Sequence, residues 1–101
     1  MGPRRGTMPQ SVNVAILGDY TPSYVTHTAT DLAIAHAATT LGLDVRAEWV
    51  PTATVEAHGA AAALDRAQGV WVSAGSPYVS MSGALEGVRF ARERGKPMVA
   101  T

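Results

Sequence analysis

The stretch that decides the fold is "VNVAILGDY", residues 12–20. It is a dense apolar, β-branched run that closes on Gly18, a pattern typical of a parallel strand covered on both faces. A short turn follows, and residues 24–43 then carry apolar side chains at helical spacing up to Gly42, a typical helix stop. This strand–turn–helix unit predicts the first half of an α/β crossover.

The remaining residues continue the alternation of strands and helices. The further predicted elements are a half-exposed strand near a sheet edge (44–50), a short helix (60–67), a buried strand "GVWVSAG" (69–75), a helix capped by Ser80 or Ser82 (80–95) and a last strand (from 97). This order implies right-handed crossovers and a parallel sheet. We therefore predict an α/β, flavodoxin-like, three-layer αβα fold with strand order 2-1-3-4.

Helical spacing also predicts which side of each long helix faces the core. The predicted inner residues are Ala29, Leu32, Ala33, His36, Ala37 and Leu41 in the first long helix, and Leu85, Val88 and Ala91 in the second.

Composition narrows the classes of function. Of 101 residues, 47% are hydrophobic and 16% charged, the formal charge is +0, and there is no cysteine. These values indicate a globular domain, with no basic footprint for nucleic acid and no membrane segment. The missing thiols exclude a disulfide or a thiolate metal site within these residues. We expect a disordered tail at residues 1–11, a cytoplasmic location, no metal and no cofactor.

Ligands of open α/β sheets bind beyond the carboxyl ends of the strands, which here points to the loops after the first and third strands. The candidate residues are Asp19, Tyr20 and His27 in and after one loop, and Gly75, Ser76, Pro77 and Tyr78 in the other. A glycine followed by a proline-forced turn can aim a backbone N–H outward, as an oxyanion hole requires. The alternatives are that 75–77 form an ordinary connecting turn and that Asp19 only caps its own turn.

Several well-known catalytic motifs do not occur in the sequence. It contains no GxGxxG, no P-loop and no GxSxG. This argues against a dinucleotide-binding domain, a nucleoside triphosphatase and a serine hydrolase.

The segments "VNVAILGDY", "YVTHTATDLAIAHAA", "EWVPT" and "GVWVSAGSPYVSMSGALEGVRFARERGKPMVAT" together resemble a known family. They are similar to class I glutamine amidotransferase-like domains related to the C-terminal region of CTP synthase, some of which are selenoproteins. The resemblance covers residues 12–101, and its most specific part is the run at 74–97.

The resemblance implies a reaction and a set of roles. It implies glutamine, or a related amide, as substrate and ammonia as product, with the acceptor of the ammonia left open and a relation to pyrimidine nucleotide biosynthesis. It places Gly75 and Ser76 at the oxyanion hole, where Ala74 and Ser76 depart from the usual Pro-Gly-Gly. It places a cysteine or selenocysteine nucleophile directly after Thr101, and a histidine and a glutamate further downstream. Residues 12–101 would then be the N-terminal half of the domain, without its nucleophile and inactive alone.

Two hypotheses about function remain at this point. One is the amidotransferase-like half domain, which should self-associate through its exposed last strand. The other is a non-catalytic flavodoxin-like module that binds a ligand or a partner and should unfold cooperatively as a monomer.

Overall fold

Four parallel strands form the sheet on which the rest of the chain is built. The computed structural model describes residues 11–74 and 78–101, and in this part of the chain the strand order is β2-β1-β3-β4. The strands are β1 (Ser11–Leu17), β2 (Asp44–Val50), β3 (Gly69–Val72) and β4 (Met98–Ala100). The flavodoxin-like α/β arrangement and the predicted strand order are confirmed. Residues 1–10 and 75–77 lie outside the described residues.

Four helices connect the strands. They are α1 (Val25–Leu41), α2 (Thr52–His58), α3 (Ala60–Leu64) and α4 (Met81–Glu93). The short helix predicted at 60–67 is present as α3, but α2 was not predicted. Pro51 ends β2 and is also the N-cap of α2, and Gly59 separates α2 from α3 with a φ of 89°. A positive φ of this kind favours glycine.

The main core lies between the sheet and helices α2, α3 and α4. Its buried members include Leu17, Val50, Val55, Leu64, Val72 and Phe90. Right-handed crossovers place α1 on the opposite face of the sheet, because β2 and β3 flank β1 on different sides. Residues 11–74 and 78–101 are therefore layered as predicted, with one of their helices on one face of the sheet and three on the other.

The predicted inner face of α4 is partly wrong. Ala91 is buried and Val88 packs against the core, but the side chain of Leu85 is 61% exposed. The positions that instead approach the core include Gly83 and Gly87. A side chain added at Gly83 would meet the backbone of Thr52, so the absence of a Cβ lets α4 lie close to α2.

None of the six residues predicted for the inner face of α1 is buried. Leu32 and Leu41 are 71% and 67% exposed, and His36 is exposed as well, whereas the buried residues of α1 are His27 and Thr30. Leu41 still borders the sheet, where an open apolar cleft of about 310 Å³ separates α1 from β3 and β4. Leu41 is exposed because no described helix or strand fills that cleft.

Candidate functional site at the carboxyl edge of the sheet

The carboxyl ends of β1 and β3 lie side by side, so the two loops that follow them share one edge of the sheet. Leu17 pairs with Val72 at these ends, and β2 ends beside β1 with Leu17 opposite Val50. The backbone N–H of Gly18 donates to the Val50 carbonyl at 3.0 Å, which holds the first loop against the end of β2. The three strand ends thus bring their loops together, as expected for a switch point in strand order.

Asp19 is the polar centre of this edge. Its Oδ1 accepts a hydrogen bond from the backbone N–H of Thr52 at 2.9 Å. Its Oδ2 accepts from the Thr52 hydroxyl at 2.8 Å and from the backbone N–H of Val79 at 2.9 Å. Asp19 therefore does more than cap its own turn, because its partners belong to the segments that follow β2 and β3.

Thr52 links Asp19 to a further hydrogen bond, with Ser80. The sequence did not indicate this role for Thr52. Its side chain is fully buried, and its hydroxyl accepts a hydrogen bond from the backbone N–H of Ser80 at 2.9 Å. The Ser80 hydroxyl in turn accepts from the N–H of Gly83 at 2.9 Å and donates to Glu56 Oε1 at 2.8 Å. The predicted cap at Ser80 is confirmed. The signal that could have indicated Thr52 is its position directly after a proline that ends a strand.

His27 is buried, with 2% of its surface exposed, and both ring nitrogens are engaged. Nδ1 accepts from the backbone N–H of Thr21 at 2.9 Å, and Nε2 lies 2.8 Å from the carbonyl oxygen of Ala74. This pattern requires the tautomer with the proton on Nε2, because a carbonyl oxygen can only accept. Both ring nitrogens of His27 thus bind backbone groups, and this geometry suits holding Ala74 and Thr21 in place.

An aromatic cluster surrounds His27. Its ring centroid lies 4.9 Å from that of Trp49, 5.1 Å from that of Tyr24 and 6.0 Å from that of Tyr20. Trp49 is fixed by a hydrogen bond of 2.8 Å from its Nε1 to Asp31 Oδ1 in α1. Tyr20 and Tyr24 remain 41% and 45% exposed, so the cluster presents two aromatic side chains to solvent.

Four of the predicted residues lie on the loop after β3. Gly75, Ser76 and Pro77 lie outside the described residues, so the oxyanion hole stays a prediction. Tyr78 is partly buried, and its hydroxyl donates to the carbonyl of Ser73 at 2.7 Å. That bond joins Tyr78 to the residue that directly follows β3.

The ends of β1 and β3 approach so closely that Gly18 has no room for a side chain. A Cβ at Gly18 would collide with the hydroxyl of Ser73. Ser73 is fully buried, and its hydroxyl has no hydrogen-bond partner within the described part of the chain. The glycine that closes the first strand is therefore required by packing.

A small cleft lies between the start of α1 and the ends of β3 and β4. It has a volume of about 280 Å³ and is lined by residues that include Thr30, Trp71, Ala74 and Thr101. The backbone N–H of Thr101 donates to the Val72 carbonyl at 3.1 Å, and Trp71 Nε1 donates to the Thr101 hydroxyl at 3.1 Å. Thr101 is thus held beside Ala74 at the same edge as Asp19 and His27.

Two kinds of feature are not found in residues 11–74 and 78–101. None of their helices has both the length and the apolar character needed to cross a bilayer. No group of three or more histidine, aspartate or glutamate side chains in these ranges is arranged to hold a metal ion.

Comparison with known proteins finds CTP synthases. The chain is 34% identical over 88 residues to the CTP synthase of Acidiphilium cryptum, which covers 87% of this chain and 16% of that protein. Identity to the CTP synthase of Methylocella silvestris is 31% over 86 residues, covering 85% and 16%, and to that of Acaryochloris marina 27% over 90 residues, covering 89% and 16%. The chain is related to a segment of CTP synthase.

The similarity covers most of this chain but only a small part of each CTP synthase. The chain spans only 16% of the length of the CTP synthases that it matches. No protein-family model matches the chain.

Proposed function

We propose that residues 12–101 are the N-terminal part of a class I glutamine amidotransferase-like domain, and that the residue after Thr101 in the complete protein is the nucleophile. The observation that carries this proposal is the position of Thr101. It lies at the carboxyl end of β4, hydrogen-bonded to the end of β3 and lining one cleft with Ala74. The residue directly after it would therefore start close to Ala74, the residue that precedes Gly75 in the chain.

The proposed chemistry is acyl transfer through a cysteine or selenocysteine. The thiolate or selenolate attacks the side-chain amide carbon of glutamine, and the resulting oxyanion is stabilised by backbone N–H groups of Gly75 and Ser76. The C–N bond then breaks, the nitrogen takes a proton and leaves as ammonia, and a thioester or selenoester remains. Water hydrolyses this ester to glutamate and restores the nucleophile.

Asp19 and His27 are assigned positioning rather than proton transfer in this proposal. Asp19 and His27 are both committed to hydrogen bonds with backbone groups of neighbouring segments. The base of the reaction is therefore proposed to lie downstream of Thr101, as the resemblance implies. Since the relatives are named for CTP synthesis, supply of nitrogen to a pyrimidine nucleotide is the corresponding role proposed for the complete protein.

The test is glutamine hydrolysis by the protein encoded by every in-frame codon after that of Thr101, with an in-frame UGA read as selenocysteine. We expect equal release of glutamate and ammonia, and covalent labelling of the residue after Thr101 by an electrophilic glutamine analogue. Serine at that position should abolish labelling and lower kcat by at least about a thousandfold, as for other nucleophiles that act as one unit with their base. The 101-residue chain should release no ammonia.

The rival interpretation, a non-catalytic binding module, makes the opposite prediction. It is favoured if the complete protein has neither cysteine nor selenocysteine after Thr101, or has one there that the analogue leaves unlabelled and whose replacement changes nothing. Either result would overturn the amidotransferase proposal.

We also propose that the 101-residue chain associates with itself through β4. This strand lies at the edge of the described sheet, and its residues Met98, Val99 and Ala100 are all exposed. An exposed edge strand beside an open apolar cleft can pair with the same strand of another copy. Sedimentation velocity should show a concentration-dependent rise in mass.

Charge on the edge strand should reduce this association. Val99→Lys is expected to shift the protein toward monomer, because a lysine on an edge strand opposes strand pairing. Ala57→Lys places the same charge at an exposed position in α2 and serves as the matched control. Equal masses for all three proteins would contradict association through β4.

A further inference from the structure

The segment between β3 and α4 is held at both of its described ends by side chains from elsewhere in the chain. At its start, His27 of α1 binds the carbonyl of Ala74 at 2.8 Å. At its end, Asp19 binds the N–H of Val79 at 2.9 Å and Thr52 binds the N–H of Ser80 at 2.9 Å. These bonds join positions that are 47, 60 and 28 residues apart in the chain.

These bonds are not needed to start helix α4. The Ser80 hydroxyl already caps the helix by accepting from the N–H of Gly83. The N–H groups of Val79 and Ser80 precede the helix, and Val79 is 76% exposed whereas Ser80 is 7% exposed, so only the Val79 end of this segment borders solvent. The chain instead satisfies them with a carboxylate and a fully buried hydroxyl, although partly burying a carboxylate costs free energy.

The direction of the bonds shows how the two side chains depend on each other. The Thr52 hydroxyl donates its proton to Asp19 and therefore presents a lone pair to the N–H of Ser80. The N–H of Thr52 also donates to Asp19, which fixes the carboxylate relative to the start of α2. The carboxylate acceptor strengthens the two bonds that Thr52 donates to Asp19.

We propose that Asp19 and Thr52 are positioning residues that fix the Val79–Ser80 backbone at the carboxyl edge of the sheet, and that they act as one unit. This deepens the proposed function and rests on it in one respect, because the amidotransferase proposal places the oxyanion donors on the same loop. The unit acts on the backbone of that loop and does not touch substrate itself.

Backbone amide hydrogen exchange of the 101-residue chain, measured by NMR, tests the positioning directly. In the unmodified chain, the N–H groups of Val79 and Ser80 should be protected at least as well as those in the first turn of α1. Exchange of both at the rate of an unstructured peptide would overturn the proposal without any substitution.

Two matched substitutions then separate the hydroxyl from the size of the side chain. Thr52→Val keeps the shape but removes the donor to Asp19 and the acceptor for Ser80, so exchange at Val79 and Ser80 should rise about 10- to 100-fold relative to amides of β1 and β3. Thr52→Ser keeps the hydroxyl and should stay near the unmodified rate. Equal rates for the two variants, or a uniform rise along the chain, would overturn the proposal.

Asp19→Asn gives a second route if the valine variant folds poorly. An amide has one acceptor oxygen in place of two, so the N–H groups of Thr52 and Val79 cannot both keep their partner. Exchange at one of them should rise about tenfold or more, and unchanged protection at both would contradict the proposal.

These measurements can fail independently of the proposed reaction. They need no glutamine, so a protein without catalytic activity can still show the positioning, and an active protein can still lack it. In a complete protein that hydrolyses glutamine, Thr52→Val should lower kcat about tenfold while Thr52→Ser leaves it near the original value. Equal kcat values for the two would remove the role in catalysis.

Discussion

Replacement of Leu64 by alanine is expected to lower the free energy of unfolding by about 2–5 kcal/mol. Leu64 belongs to α3, is fully buried and lies in the core cluster between the helices and the sheet. Alanine would leave a cavity beneath α4 that the surrounding backbone can fill only in part. Because small domains have about 5–15 kcal/mol in total, the variant should be near its folding threshold.

Urea denaturation followed by circular dichroism measures this loss. The matched control is Leu85→Ala, which removes the same atoms from a side chain that is 61% exposed on α4. That substitution should change the free energy of unfolding by no more than about 0.5 kcal/mol. Similar losses for the two variants would contradict the core described here, and would favour the inner face that periodicity predicts for α4.

The strands and their order could be predicted from the sequence, because buried parallel strands have a simple pattern. Dense β-branched runs closing on glycine mark β1 and β3, and alternation with helices restricts the topology to a few arrangements. The alternation of polar and apolar residues in 44–50 predicts a half-exposed strand, and β2 indeed lies at the edge of the described sheet, beside β1 alone.

The inner faces of the helices were harder to predict, because hydrophobicity does not report how closely two backbones approach. Periodicity selects Leu85 on α4, yet the closest contacts are made by Gly83 and Gly87, which add almost nothing to an apolar pattern. On α1, the residue that packs most fully is His27, a polar side chain whose burial depends on partners in two loops.

The sequence indicated where in the fold the candidate residues lie, but not which residues they bind. Sequence reasoning placed Asp19 and His27 at the carboxyl edge of the sheet, and the structure brings both there. It did not indicate that Asp19 binds residues 33 and 60 positions away. Helix α2 was not predicted either, since "TATVEAH" has little apolar periodicity. For the same reason the sequence did not indicate Thr52, the residue that joins Asp19 to Ser80.

Replacement of Gly83 by alanine should reverse the usual effect of that change in a helix. In an exposed helix, alanine is about 1 kcal/mol more favourable than glycine. At Gly83, however, the new Cβ would overlap the backbone carbonyl of Thr52 and lie against the N–H of Glu56. Neither backbone group can rotate away, so we expect a net loss of about 1–3 kcal/mol from overpacking.

The same substitution should also disturb the candidate site, because Thr52 is hydrogen-bonded to both Asp19 and Ser80. Moving α4 away from α2 would lengthen the bond from Ser80 to Thr52, so exchange at the Ser80 amide should rise more than exchange in β1. Ser82→Ala, an exposed neighbour in the same turn, is the matched control and should be neutral or slightly stabilising. A Gly83→Ala protein as stable as this control would show that the two helices do not depend on backbone contact, and that α4 can shift without disturbing Asp19.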